Sequence, residues 1–181
     1  MSAPENILDD GSTPTTPEAL FLRLDELGIA HHTASHAPVF TVEEARAVRD
    51  GLTGGHTKNL FLRNKKGAMW LVVCDEDRLI DLKALARHLG AGRFSFSSAD
   101  RLMRYLGVTP GAVTPFAVIN DTQGVVRVVL DLAVLQHERV NFHPLDNTMT
   151  TAIRGEDLMT FLSAENHAPE VTDLGTLEHA R

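Results

Sequence analysis

The segment Gly54-Gly55-His56-Thr57-Lys58-Asn59-Leu60-Phe61-Leu62-Arg63 has a glycine-rich polar start and an apolar end. This pattern predicts a flexible loop that leads into a β-strand, with the ammonium group of Lys58 at the entrance of the strand. Glycines let a backbone approach a ligand closely, and a lysine at such a junction suits a phosphate or a carboxylate. A phosphate-binding P-loop is excluded, because Asn59 stands where that motif requires Ser or Thr. A solvated lysine at the start of an edge strand remains the alternative.

The residues that follow this segment predict a hairpin. Asn64-Lys65-Lys66-Gly67 is typical of a turn, and Ala68 to Cys74 is apolar enough for a buried partner strand. The loop therefore lies at the rim of a sheet, where functional sites are common. Cys74 is the single cysteine of the chain, so we expect it to be a small core residue without a disulfide partner.

Length and composition predict one soluble domain. The chain has 181 residues, of which 43% are hydrophobic and 23% charged. It contains no apolar run long enough to cross a bilayer and no signal-peptide pattern, so we expect a cytoplasmic protein without a membrane partner. The net charge of −7 argues against indiscriminate nucleic-acid binding, and no recognition-helix motif indicates a DNA partner.

The charge is unevenly distributed along the chain. Between Lys58 and Arg104 there are ten basic and five acidic residues, whereas the remainder is strongly acidic. Such asymmetry is compatible with one face that meets an anionic partner. Solvated helix faces would give the same count, so both interpretations stay open.

Capping residues predict the helices and, with them, the domain limits. Residues 1–16 and 166–181 are polar and acidic, so we expect flexible tails on either side of a domain at 17–165. Helices are predicted where a capping residue precedes an apolar period, often with a closing glycine: Thr16 to Gly28, Thr41 to Ala45 with a Thr41–Glu44 capping box, Asp81 to Gly90, Ser98 to Gly107, and Arg154 to Ala164.

The histidines do not predict a metal site. His31, His32 and His36 lie in a short predicted strand and the loop after it, and adjacent strand residues point to opposite faces. His137-Glu138 is similar to the start of a metalloprotease helix, but Asn141 stands where the second histidine is required. We therefore expect no metal and no other cofactor.

A second informative segment runs from Gly107 to Ile119. Its two early glycines and two prolines predict a stiffened loop that ends in a buried strand. Small side chains leave backbone N–H groups accessible, and such groups can stabilise an oxyanion. A plain connection between a helix and a strand explains the same residues equally well.

Three of these features together resemble the prolyl-tRNA editing domain family, which includes the insertion domain of bacterial prolyl-tRNA synthetase and free-standing relatives. They are Gly55 to Leu62, the loop Gly111–Pro115, and His143 after a hydrophobic segment. The resemblance extends from about Phe21 to about Leu162. It implies a mixed α/β fold, similar to α+β folds, with a curved, largely antiparallel sheet flanked by helices in a single domain.

The resemblance also implies an activity, which is hydrolysis of the ester bond of mischarged tRNA(Pro), most often alanyl-tRNA(Pro), with prolyl-tRNA synthetase as a possible partner. The family's essential lysine corresponds to Lys58, next to the substrate-binding positions Thr57 and Asn59. The family enlists the terminal ribose hydroxyl of its substrate. His143 either orients that hydroxyl or a water molecule, or has a structural role. The family's substrate loop corresponds to Gly111 and Pro115, and Ala112, Val113 and His36 are our candidates for the pocket lining. Removal of serine or cysteine, and a binding module without chemistry, are the alternatives.

Overall fold

The computed structural model describes residues 6–41, 43–44 and 52–177. Within these residues eight strands form one mixed sheet. The strands are β1 (His32–Ser35), β2 (Gly55–Arg63), β3 (Met69–Asp75), β4 (Ser95–Phe96), β5 (Val126–Asp131), β6 (Arg139–Phe142), β7 (Met149–Arg154) and β8 (Glu170–Thr172). Their order is β1-β7-β6-β2-β3-β5-β8, and the short β4 pairs with β2.

The pairing of the strands is antiparallel for β1–β7, β6–β7, β2–β3 and β2–β4. It is parallel for β2–β6, β3–β5 and β5–β8. The mixed α/β class and the mostly antiparallel sheet of the sequence analysis are therefore confirmed.

Within the described part of the chain, four helices begin where they were predicted, and a fifth, short helix lies in the expected C-terminal tail. They are α1 (Pro17–Glu26), α2 (Leu82–His88), α3 (Ala99–Leu106), α4 (Gly155–Ala164) and α5 (Leu174–Leu177), with 3₁₀ helices at Pro110–Ala112, Pro115–Asn120 and Leu132–Gln136. The side chains of Thr16, Asp81 and Ser98 each accept a hydrogen bond from the first turn of their helix. The Thr41–Glu44 capping box also forms, since each side chain accepts a bond from the other residue's backbone N–H. Val42 and Ala45 of the predicted helix lie outside the described residues.

The β2–β3 hairpin lies at the centre of the sheet. Its register runs from Thr57 opposite Asp75 to Arg63 opposite Met69, and Asn64 closes the turn by accepting bonds from two backbone N–H groups with Oδ1. The strand begins earlier than predicted, because Gly55 pairs with Val140 of β6. Lys58 is consequently the fourth residue of β2 and does not stand at its entrance.

Each face of the hairpin packs against a different set of helices. Alternate residues such as Phe61, Leu71 and Val73 join the larger core, to which α1, α3, α4 and the 3₁₀ segments contribute. The opposite face, with Trp70 and Cys74, is covered by α2 and α5. Cys74 is completely buried, as predicted, and burial raises the pKa of its thiol to about 12.

The segment predicted as a strand after Pro115 is a 3₁₀ helix. Thr114 accepts a bond from the N–H of Phe116 with its side chain, and Pro115 occupies the first helical position. These two local features override the apolar run Phe116–Ile119, which favoured a strand. Phe116 is fully buried and packs edge-on against Phe142 and Phe161.

The segments expected to be tails contact the domain. Leu8 is buried, Asp9 pairs with Arg104 at 2.5 Å, and the N–H of Thr15 donates to Asn120 at 2.9 Å. At the other end β8 extends the sheet and α5 buries Leu174. These contacts join positions far apart in the chain, so local composition did not reveal them. No helix among the described residues is both long and apolar enough to cross a membrane.

Candidate active site

A cavity lies where β2 and β6 separate. Their parallel pairing is limited to Gly55 with Val140 and His56 with Asn141, and beyond this point side chains line a cavity of about 100 Å³. Typical ligand pockets are larger, roughly 300–1,000 Å³, so this cavity suits a small group. Its lining residues are His36, Val39, Leu52, His56, Thr57, Asn59, Glu76, Asn141, Phe142, His143 and Thr150.

His143 presents one imidazole nitrogen that is not engaged. Its Nδ1 lies 2.8 Å from the carbonyl oxygen of Met149, so Nδ1 carries the proton and Nε2 the lone pair. Within the part of the chain that the structure describes, Nε2 has no hydrogen-bond partner. The pKa of His143 lies below its ordinary value of 6.5, mainly because the ring is buried. Neighbouring His36 lowers this pKa as well, whereas the bond to Met149 and the charge of Asp146 raise it by less in total. The imidazole is therefore neutral near pH 7 and able to accept a proton.

His36 is fixed beside His143. The two ring centroids are 6.1 Å apart. His36 Nδ1 lies 2.7 Å from the carbonyl oxygen of Ala37, and Nε2 lies 2.8 Å from Thr150 Oγ1. Strand β7 and the chain after β1 thus hold the His36 ring against one wall of the cavity.

Two asparagines carry buried oxygen atoms without partners. Asn59 Nδ2 donates to the carbonyl oxygen of Val113 at 3.1 Å. Asn141 Nδ2 donates to the carbonyl oxygens of Thr53 and Gly55 at 3.0 and 3.2 Å. These contacts fix which end of each amide is nitrogen, since carbonyl groups only accept. Among the described residues Oδ1 of both asparagines is buried and accepts no hydrogen bond, which is costly unless a ligand supplies donors.

Thr57 joins the two strands at the mouth of the split. Its Oγ1 donates to the carbonyl oxygen of Asn141 at 3.1 Å. The predicted residues Thr57, Asn59, His36 and His143 therefore line one cavity, although they come from three separate regions of the chain.

Lys58 is not one of the lining residues. By the β2–β6 register and strand alternation it shares a sheet face with His56 and Asn141, which do line the cavity. Its ammonium group donates a hydrogen bond to the carbonyl oxygen of Arg78. The turn after β3 thus carries both the oxygen atom that holds Lys58 and the cavity residue Glu76.

The loop Gly111–Pro115 does not line the cavity but contacts one of its lining residues. Ala112 is buried in the larger core, Pro115 is buried at the start of the next 3₁₀ helix, and the N–H of Ala112 donates to the carbonyl oxygen of Thr109. The loop reaches the cavity residues through the Val113 carbonyl oxygen, which accepts the bond from Asn59. The loop therefore contacts the site through a carbonyl oxygen, which accepts a hydrogen bond. The backbone N–H groups that were expected to donate to the substrate do not line the cavity.

Comparison with known proteins identifies the family. Residues 36–161 match the model of the aminoacyl-tRNA editing domain. This chain belongs to that family. The "Prolyl-tRNA editing protein ProX" of Acetoanaerobium sticklandii is 40% identical over 158 residues, which cover 87% of this chain and 96% of that protein. The bovine "Prolyl-tRNA synthetase associated domain-containing protein 1" is 42% identical over 156 residues, covering 83% of this chain and 91% of the relative.

The structural comparison agrees with the sequence comparison on the fold. A solved structure of a candidate trans-editing enzyme for prolyl-tRNA synthetase superimposes with a TM-score of 0.67, at 17% identity. The superposition covers 90% of this chain and 98% of the other. This editing domain therefore has the fold of that protein.

Several residues that line the cavity of this editing domain were not predicted as site residues, namely His56, Glu76, Asn141 and Thr150. Asn141 was noted only because it excluded a metalloprotease helix. Its two-residue spacing from His143, at the end of β6, was the available signal, because side chains two residues apart in a strand share a face. Among the described residues no group of three or more His, Cys, Asp or Glu side chains is arranged to hold a metal ion.

Proposed function

We propose that this editing domain is a trans-acting deacylase that hydrolyses the ester bond between tRNA(Pro) and a wrongly attached alanine. The observation that carries the proposal is the cavity at the β2–β6 split. It is lined by a neutral His143 with an unengaged Nε2 and by Asn59 and Asn141, whose buried Oδ1 atoms have no hydrogen-bond partner. The names of the relatives, which refer to prolyl-tRNA editing and to prolyl-tRNA synthetase, support the choice of tRNA. We place the protein in the cytoplasm, with prolyl-tRNA synthetase as a further partner.

His143 supplies the base for the reaction. An aminoacyl ester is already activated, so placement and proton transfer suffice for its hydrolysis. Water attacks the ester carbonyl carbon and passes a proton to Nε2. The tetrahedral intermediate then breaks its bond to the ribose oxygen, which takes the proton back from the imidazolium. The products are free alanine and uncharged tRNA.

The two asparagines bind the α-ammonium group of the substrate. An ammonium group donates N–H hydrogen bonds, and the buried Oδ1 atoms of Asn59 and Asn141 are acceptors that receive none in the free protein. The carboxylate of Glu76 lines the same cavity and adds negative charge. The substrate amine thereby satisfies polar atoms that are unsatisfied in the free enzyme.

Alanine is favoured over proline for two reasons. The cavity of about 100 Å³ is small, so a pyrrolidine ring clashes with its walls. Alanine also has a primary ammonium with three N–H donors, whereas the ring nitrogen of proline offers two. In a site with several buried acceptors, a substrate that leaves a buried acceptor unpaired is rejected more strongly than a substrate that differs only by one methylene group.

Lys58 binds a phosphate near the 3′ end of the tRNA. Its present partner is the neutral carbonyl of Arg78, so no ion pair with that group has to break. The flexible four-carbon stem lets the ammonium group move to the substrate as a point charge. Basic residues on and after α2, namely Lys83, Arg87 and Arg93, line a separate groove of about 590 Å³. This groove is where we place the acceptor stem.

The test is hydrolysis of tRNA(Pro) charged with alanine, proline, serine or cysteine by the purified protein. We expect rapid release of alanine and slow release of proline. Faster release of serine or cysteine would change the assigned amino acid within the same chemistry. Stable alanyl-tRNA(Pro) alongside measurable tRNA association would instead establish a binding module without catalysis.

A further inference from the structure

Two arginines face each other across neighbouring strands beside the cavity. Arg139 of β6 and Arg154 of β7 are direct partners in the antiparallel register. Like charges at opposite positions of a ladder cost stability, so the pair calls for an explanation. Both residues are exposed and line one cleft of about 130 Å³ together with His31 and His32.

This arginine pair lies on the sheet face that carries the cavity residues His56 and Asn141. Side chains two residues apart along a strand share a face, so Arg139 follows the orientation of Asn141, which lines the cavity. Arg154 has the same relation to Ala152, the register partner of Asn141. One step of two residues, about 7 Å along β6, separates Asn141 from Arg139. Successive nucleotides of an extended single strand are separated by a step of this size.

We infer that Arg139 and Arg154 form a phosphate-binding subsite for the single-stranded 3′ end of the tRNA. The inference rests on the proposed function, since it assumes that the terminal ribose and its amino acid occupy the cavity. The phosphate that precedes the terminal adenosine, or the next one along the strand, lies between the two guanidinium groups. Its charge removes the repulsion between them, and guanidinium groups bind phosphate oxygens in a bidentate manner.

The acidic groups around the subsite leave it available. Arg154 pairs with Glu156 at 2.8 Å, but the two side chains are 60% and 68% exposed, so a phosphate readily replaces that carboxylate. Asp25 is engaged by His31 at 3.0 Å. Arg139 makes no ion pair with any residue that the structure describes.

The inference is tested by separating substrates that carry phosphates from one that does not. The double variant Arg139→Gln/Arg154→Gln is compared with the wild type on 3′-O-alanyladenosine, on an alanyl-CCA trinucleotide and on alanyl-tRNA(Pro). We expect unchanged kinetics on the nucleoside ester. On the two phosphate-bearing substrates we expect KM to rise about tenfold, with kcat unchanged, because only uniform binding is removed. Equal losses on all three substrates would identify a structural role and overturn the inference.

A binding measurement tests the subsite independently of hydrolysis. Fluorescence anisotropy with an uncharged CCA trinucleotide gives the dependence of affinity on salt concentration. Loss of the one phosphate held between the two arginines reduces the slope of log K against log salt by about 0.7, the value for one phosphate of a single strand. An unchanged slope refutes the subsite. A wild-type protein that binds CCA with the expected slope but hydrolyses no aminoacyl ester would refute the proposed function and leave the subsite standing.

Two single variants provide controls. Arg127→Gln removes the same charge from β5, where the guanidinium stacks over Trp70 at 5.5 Å, and we expect no change in KM or salt slope. Glu156→Gln removes the carboxylate that competes for Arg154, and we expect tighter binding of CCA. Weaker binding by Glu156→Gln would contradict the assignment of Arg154 to the phosphate.

Discussion

Replacement of His143 by asparagine separates its catalytic role from its structural one. The asparagine Nδ2 occupies the place of the imidazole Nδ1 and keeps the bond to the Met149 carbonyl oxygen, which is 2.8 Å long in the present structure. The substitution removes Nε2, the atom without a partner that we assign as proton acceptor. Loss of a positioned general base costs about 10²–10⁴ in rate. This corresponds to ~2.7–5.4 kcal/mol of transition-state stabilisation at 1.36 kcal/mol per tenfold change.

The assay is deacylation of alanyl-tRNA(Pro) under single-turnover conditions between pH 5 and 8, corrected for spontaneous ester hydrolysis. Burial lowers the pKa of His143 below 6.5, so the neutral base predominates at pH 7. Activity of the wild type therefore falls only as the pH drops below 6.5, through the pKa of His143. The His143→Asn variant should be slow at every pH, and its rate should not show this fall below pH 6.5, which is the acidic limb of the profile.

Thermal unfolding accompanies the kinetics and checks the fold, because a variant that keeps the bond to Met149 should retain most of the wild-type stability. A folded His143→Asn variant with wild-type rates and a retained acidic limb would show that His143 is not the base. The conservative variant His143→Gln places an amide where Nε2 lies and cannot accept a proton at neutral pH. It should therefore be as slow as His143→Asn.

Three further predictions concern Lys58, Asn59 and the buried pair Asp121–His167. Lys58→Met should lower kcat/KM for alanyl-tRNA(Pro) roughly 10- to 150-fold with an unchanged melting temperature, because it removes one bond between charged groups, which contributes about 1.5–3 kcal/mol; full activity would exclude Lys58 from substrate binding. Asn59→Ala should lower kcat/KM for alanyl-tRNA(Pro) roughly 10- to 150-fold, since a bond to a charged group contributes about 1.5–3 kcal/mol; an equal loss for prolyl-tRNA(Pro) would argue against amine recognition. Burial alone raises the pKa of Asp121, but hydrogen bonds from His167 and two backbone N–H groups together outweigh this effect, so the pKa is lowered. Burial alone lowers the pKa of His167, but the bond to Asp121 and the bond to the Glu165 carbonyl together outweigh this effect, so that pKa is raised. Asp121→Asn should therefore lower the free energy of unfolding by about 3 kcal/mol in chemical denaturation. The difference should be largest between about pH 4 and 6.5, should decline in acid as Asp121 is protonated, and should decline above pH 6.5 as His167 loses its proton; a loss independent of pH would show that the pair is not ionic.

Local signals predicted the helices well. Thr16, Asp81 and Ser98 cap α1, α2 and α3 as expected, because a cap depends on residues within one turn. Gly107 ends α3 in the left-handed conformation at φ 66°, which glycine adopts without strain. The β2–β3 hairpin was equally accessible, since its turn is four residues long.

The remaining fold and most of the site depend on pairings between distant segments. The parallel pairs β3–β5 and β5–β8 join strands that no local pattern connects. The cavity exists because β6 pairs with β2 over two residues and then separates from it. Lys58, Asn59 and His143 could be selected through the family resemblance. Asn141 was indicated only by its two-residue spacing from His143, because an asparagine in a strand carries no chemical signature until its neighbours are known.

The isolation of Cys74 has a practical consequence. This thiol is the only one in the chain, is fully buried, and has a pKa of about 12, so almost none of it is thiolate at neutral pH. Maleimide reagents should therefore leave the native protein unmodified. A cysteine introduced at an exposed position such as Leu79, on the chain between β3 and α2, would then take up a fluorophore selectively. The wild-type sequence is already a suitable background for optical measurements of tRNA docking.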